Sequence, residues 1–95
     1  MDKKEYYQQK AAAQLAEWQA DIDKLKAKAQ SASVDMKFKY QDQISTLEAK
    51  YEEGKVKLKE IEDSSEEAWE VIKKGSESIW NTMKATFEEA KSKYK

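Results

Sequence analysis

The sequence predicts an all-α protein whose long helices pack through a narrow apolar seam. Three observations lead there. Apolar residues recur in alternating steps of three and four from Leu15 through Trp18, Ile22, Leu25, Ala29 and Ala32 to Met36, the spacing of a coiled-coil stripe. The 95 residues include no Pro and only two Gly, so little interrupts a helix once it has begun. Charged and apolar residues each make up 39%, which suits helices with a thin buried face better than a globule with a thick core.

Residues 2–30 carry the strongest helix signal, being rich in Ala, Lys, Gln, Glu and Leu. Asp2 and Glu5 stand where the positive end of a helix dipole favours acids. Tyr6 and Tyr7 are placed to close the end of a bundle. Ser31, Ala32 and Ser33 offer a first break, with Ser33 as a helix cap and Asp35 in the following turn. Against a break, the seam phase runs through Ala29, Ala32 and Met36 undisturbed, and a continuous helix is the expectation.

The stripe continues through Tyr40, Ile44, Leu47, Tyr51, Gly54, Leu58 and Ile61. Two successive steps of four, Met36 to Tyr40 to Ile44, read as a stutter that locally unwinds a supercoil. Val34–Tyr40 and Lys55–Lys59 also alternate with a period of two, as a half-buried strand would. A hairpin between them would leave residues 41–54 as a loop, and that segment has the pattern of a helix. Gly54 falls on the seam, where either a bulky partner side chain covers it or the helix bends.

The strongest break is Asp63-Ser64-Ser65-Glu66-Glu67, where Ser64 and Glu67 have the spacing of a capping box. The segment that follows has the widest apolar face, with Trp69, Ile72, Ile79, Trp80, Met83, Phe87 and Tyr94. Acid-to-Lys pairs four residues apart (Asp35 with Lys39, Glu53 with Lys57, Glu70 with Lys74, Glu89 with Lys93) are expected to support the exposed faces.

Lengths turn this reading into an assembly. A helix over about residues 3–62 would run ~90 Å, and one over about 65–94 only ~45 Å. Folded as an antiparallel coiled-coil hairpin, the second covers half of the first and leaves Leu15, Trp18, Ile22 and Leu25 bare. A bare apolar stripe calls for a partner, and a symmetric dimer is the favoured repair. The alternative is an extra turn near 31–33, giving a monomeric three-helix, spectrin-like bundle. An unbroken parallel coiled coil ranks third.

The chemistry the residues permit is narrow. The sequence has neither His nor Cys, which removes the commonest general base, nucleophile and transition-metal ligands. No catalytic residue, cofactor or metal site is expected, and the acidic doublets Glu52-Glu53, Glu66-Glu67 and Glu88-Glu89 read as solvated helix faces. With a net charge of −1, and with Lys the only strongly basic residue type, nothing points to nucleic acid. No apolar run is long enough to span a bilayer and the first ten residues lack a secretory signal pattern, so a cytoplasmic location is expected. A second functional reading takes Trp69, Ile72, Trp80, Met83 and Phe87 as a face that lies on a membrane surface, with Lys73, Lys74 and Lys84 meeting anionic lipid.

Several of these residues form a longer pattern: Trp18-x-x-x-Ile22-Asp23-x-Leu25, then Ile44-x-x-Leu47-x-x-Lys50. After a Ser-rich break come Glu67-Ala68-Trp69-x-x-Ile72-Lys73-x-Gly75, Ile79-Trp80-x-x-x-Lys84 and Phe87-x-x-Ala90. The pattern resembles a group of small bacterial coiled-coil proteins, some described as stress-response proteins in cyanobacteria and other Gram-negative bacteria. The resemblance covers most of the chain and is most specific from Ala68 to Trp80. It implies an all-helical, non-enzymatic protein, and it carries no ligand or site over to these residues. Such relatives favour Gly at the break, where this chain has Ser64 and Ser65. The expected function is therefore that of a self-associating structural or interaction protein made under stress.

Overall fold

The computed structural model describes residues 2–93, so Tyr94 on the expected apolar face lies outside them. Three helices follow one another: α1 over Lys3–Gln30, α2 over Val34–Glu62 and α3 over Trp69–Lys93. They run up, down and up, and the rod measures 51 × 21 × 20 Å. The fold is all-α, as expected, and the three-helix arrangement is the one that fits. The continuous helix over about 3–62 is corrected: the chain turns at Ser31–Ser33.

That turn is a local affair of capping. Ser31 ends α1 with its N–H on the carbonyls of Lys28 and Ala29. Ser33 adopts an extended conformation and its side chain accepts from the N–H of Met36 at 3.4 Å, which starts α2. No residue among those described has a positive φ, so the turn needs neither Gly nor Pro. The undisturbed seam phase misled because three linking residues occupy about one helical turn of sequence. The seam count passes through the linker while the backbone reverses.

The second connection is also built from serines, but one residue later than the capping box predicts. Ser64 Oγ donates to the carbonyl of Ile61 at 2.6 Å and closes α2. Ser65 Oγ, not that of Ser64, accepts from the N–H of Ala68 at 3.1 Å. Regular helix then begins at Trp69 rather than Ser65, after a turn over residues 66–68. Lys4 at the foot of α1 donates to the carbonyl of Ser64 at 2.6 Å and ties this loop to the first helix. At the same end of α1, Asp2 caps the helix by accepting from the N–H of Glu5 at 2.8 Å.

The seam folds back on itself and becomes the core. Ile22 on α1, Leu47 and Ile61 on α2, and Met83 and Phe87 on α3 are among its most enclosed side chains. Leu15, Trp18 and Leu25, which a two-helix hairpin would have left bare, are buried beneath α2 and α3. The two stretches with a period of two are helical. In the first, Met36 and Tyr40 turn inward while Val34 and Phe38 face solvent. In the second, Leu58 is buried and Val56 is exposed.

Gly54 is covered by a bulky side chain. A Cβ there would lie 2.8 Å from Cε of Met83 and 3.1 Å from Cδ2 of Leu15. The absence of a side chain lets Met83 lie flat against α2, and the seam position costs helix propensity in return for that contact. Charge pairing follows three-residue steps more than the expected four: Lys50 with Glu53, Lys55 with Glu52 and Lys57 with Glu60. Lys57 thus meets Glu60 where Glu53 was expected. A four-residue pair occurs at Lys59 and Asp63, and other pairs link helices.

Candidate functional site: an aromatic groove between the first and third helices

α2 packs closely along both neighbours, whereas α1 and α3 meet mainly through large side chains. Toward the middle of the rod that meeting is tight. Trp18 stacks on Phe87, with ring centroids 5.0 Å apart and planes inclined by 14°, and on Trp80 at 5.7 Å and 27°. Above the stack, Lys91 on α3 reaches Asp21 at 3.2 Å and Glu17 at 3.6 Å on α1. Asp21 Oδ2 has no other polar partner among the described residues. Asp21, followed by burial and by Glu17, shapes the titration of Lys91: the hydrogen bond to Asp21 raises it above the ordinary 10.5.

Toward the foot of the rod the two helices part. A cleft of about 800 Å³ opens between them, lined by Tyr6, Tyr7 and Lys10 from α1 and by Trp69, Lys73 and Trp80 from α3. Tyr7 and Trp69 form the floor, with centroids 6.1 Å apart and planes tilted by 40°. The ammonium of Lys73 lies over both rings, 5.3 Å from Tyr7 and 5.7 Å from Trp69. Lys10 lies in the same way 5.8 Å from the ring of Tyr6. Aromatic faces hold these cations by their quadrupoles.

Polar groups beneath the floor are few. Ser76 is fully enclosed and donates to the carbonyl of Lys73 at 2.9 Å. Burial pushes the Tyr7 phenol above its ordinary 10.0; Ser76 opposes the rise, Glu77 adds to it, and the Trp80 indole edge opposes it. Trp80 Nε1 is shut away without closing a hydrogen bond among the described residues. An arrangement of this kind holds apolar or cationic groups in place. It contains no paired nucleophile and base, and no group of three or more metal-ligating side chains comes together among the described residues.

The seam residues assigned from sequence divide into two sets. Leu15, Trp18, Ile22, Leu25, Ile44, Leu47, Leu58, Ile61, Trp69, Met83 and Phe87 are buried. Met36, Tyr40, Tyr51, Ile72, Ile79 and Trp80 are half-buried at the margins of the core. The structure brings both sets together within one chain. The five residues of the supposed membrane face are divided in the same way: Trp69, Met83 and Phe87 point into the bundle, and Ile72 and Trp80 border it. No described helix is long and apolar enough to cross a membrane.

Sequence reasoning placed Tyr6 and Tyr7 at a bundle end but did not connect them to Lys73 or Ser76. Read from the sequence alone, Lys73 stands beside Lys74 and Lys84 on the lysine side of a membrane-facing helix. Only the approach of α1 to α3 shows that its ammonium is shared by two rings. Compared with protein-family models, with curated proteins and with solved structures, the chain matches none.

Proposed function

We propose that this protein is a non-enzymatic helical interaction module that self-associates through its outer surface, and that its work is binding rather than catalysis. The observation that carries the reading is the contrast between core and surface. The core uses up the seam, while an aromatic groove and several large apolar side chains stay open: Tyr6, Val34, Phe38, Val56 and Val71 are each more than half exposed. Beside them stand Lys and carboxylates, with no His or Cys anywhere in the chain.

The seam calls for a dimer only if its half around Trp18 is bare. Trp18 is covered within one chain, so the motive for association moves from the seam to the open groove and the outer face of α2. A role in stress rests on the sequence resemblance alone. The membrane-surface reading of α3 would require that helix to leave the bundle and uncover Met83 and Phe87, at a cost of several buried side chains.

Sedimentation over a wide concentration range tests self-association. A rising weight-average mass is expected, and a compact monomer at every concentration would sink the reading. Tryptophan fluorescence with vesicles of anionic phospholipid tests the competitor, for which a blue shift with co-flotation would be required.

A further inference from the structure

We propose that the groove between α1 and α3 receives the first three turns of α2 from a second copy of this chain, so that copies join head to tail. This rests on the self-association proposed above and names the two surfaces that carry it.

The groove has a fixed length and a fixed pattern of charge. Its lining runs from Lys3 to Gln14 on α1 and from Trp69 to Asn81 on α3, about three helical turns. Lys3 and Lys10, seven residues apart, stand on the α1 rim. Glu70 and Glu77, also seven apart, stand on the α3 rim. Seven residues is the repeat at which a helix seated in the groove would present its flanking charges, as in the flanking positions of a coiled coil.

The start of α2 offers the matching face. Met36, Tyr40 and Ile44 turn inward, which leaves Val34 at 71% and Phe38 at 68% exposed on the outward side. Asp35 and Asp42, again seven apart, lie along one flank of Phe38 with Lys39 farther round the same side, and Lys37 lies on the other flank. In one of the two possible orientations along the groove, the acids meet Lys3 and Lys10 while Lys37 meets the Glu70–Glu77 rim. Phe38 then has Tyr6 and the half-buried Trp80 to pack against, in the helix-in-groove mode of recognition. Among the described residues, three of the five exposed large apolar side chains, Tyr6, Val34 and Phe38, belong to these two faces.

The geometry sets the kind of assembly. The groove lies opposite α2 across the bundle and at the foot of α1, whereas Val34 and Phe38 lie at the far end of a rod 51 Å long. Two copies therefore cannot fill each other's grooves at once. Each copy leaves one groove and one stripe free, and the contact is heterologous and open-ended. A contact of three helical turns is small, in the range of transient interfaces.

Two variants on exposed positions test this. Phe38→Asp spoils the stripe and leaves the groove intact; Tyr6→Asp spoils the groove and leaves the stripe intact. Circular dichroism checks that both stay helical. Sedimentation equilibrium from ~10 µM to ~1 mM is expected to show the wild type climbing past twice 11.1 kDa without a plateau. Each variant alone should stay at 11.1 kDa, and an equimolar mixture should form pairs of twice that mass and stop there. Half-molar salt should weaken wild-type association severalfold, because the rim charges are screened. A wild type that is monomeric throughout overturns both this proposal and self-association, and leaves a foreign helix as the groove's occupant. A wild type that associates while either variant does too, or while the mixture fails to pair, overturns the proposed surfaces and leaves self-association standing.

Discussion

Gly54 on α2 lies directly beneath Met83 on α3, so close that a Cβ at position 54 would sit 2.8 Å from the Met83 methyl group. The methyl is the far end of a flexible side chain and can move aside. Gly54→Ala is therefore expected to change stability by less than ~1 kcal/mol, the gain in helix propensity offsetting the crowding. Gly54→Leu should cost about 1–3 kcal/mol by overpacking, and adding Met83→Ala should restore part of that loss. Urea titration of the three variants measures the coupling.

Trp18 joins α1 to α3 through two stacked rings and is 4% exposed. Trp18→Ala should cost about 3–5 kcal/mol, enough to leave a small domain largely unfolded at room temperature. Trp80→Phe should be much milder. It removes an indole N–H that closes no hydrogen bond among the described residues and only edges toward the Tyr7 phenol, and the rest of the ring contact survives. Thermal denaturation followed at 222 nm ranks the two, and equal losses would contradict the asymmetry.

The sign of a single substitution separates three helices from a long one. In a helix running unbroken through position 33, Ser33→Ala would stabilise, because Ala is the better helix former. As the cap of α2, Ser33 accepts from the N–H of Met36, and its loss should destabilise by ~1 kcal/mol. Chemical denaturation of this one variant distinguishes the two, and a gain in stability would refute the turn.

Alkaline pH should loosen the contact between α1 and α3. Lys91 is raised above 10.5 chiefly by Asp21, and Tyr7 is raised above 10.0 chiefly by burial. In both cases the folded chain holds the proton more tightly than the unfolded chain does. The stabilisation is fully present below the ordinary values and is lost as pH climbs through the raised ones. The melting temperature is thus expected to fall above about pH 10. Tyr7→Phe and Lys91→Met should each flatten part of that fall. An unchanged alkaline slope in both variants would show that other groups control it.

Much of the fold was legible in the residues themselves. The steps from Leu15 to Ile61 fixed helix and buried face together, because a period near 3.6 can present one apolar side only as a helix. The same count concealed the turn at Ser31–Ser33, since three linker residues carried the phase across a reversal of the backbone. Ser33 held a local signal for that turn, and the phase that runs through the linker argued against it. Ser65 capping Ala68, one residue past the predicted box, was a matter of backbone geometry that neither serine's identity specifies.

The sequence by itself determined that this chain is helical, that its apolar stripe must be covered, and that neither His nor Cys is among its side chains. Those are properties of single residues and their spacing, and they hold in any arrangement of the helices. Tertiary structure alone decided what covers the stripe. Once α2 folds back on α1, Trp18 meets Phe87 and Trp80 within its own chain, and the need for a partner leaves the seam. The same packing holds α1 and α3 apart on the faces of Tyr7 and Trp69 and places Lys73 between them. Residues some sixty positions apart in sequence became neighbours there, and periodicity within one helix carries no record of which distant helix lies alongside it.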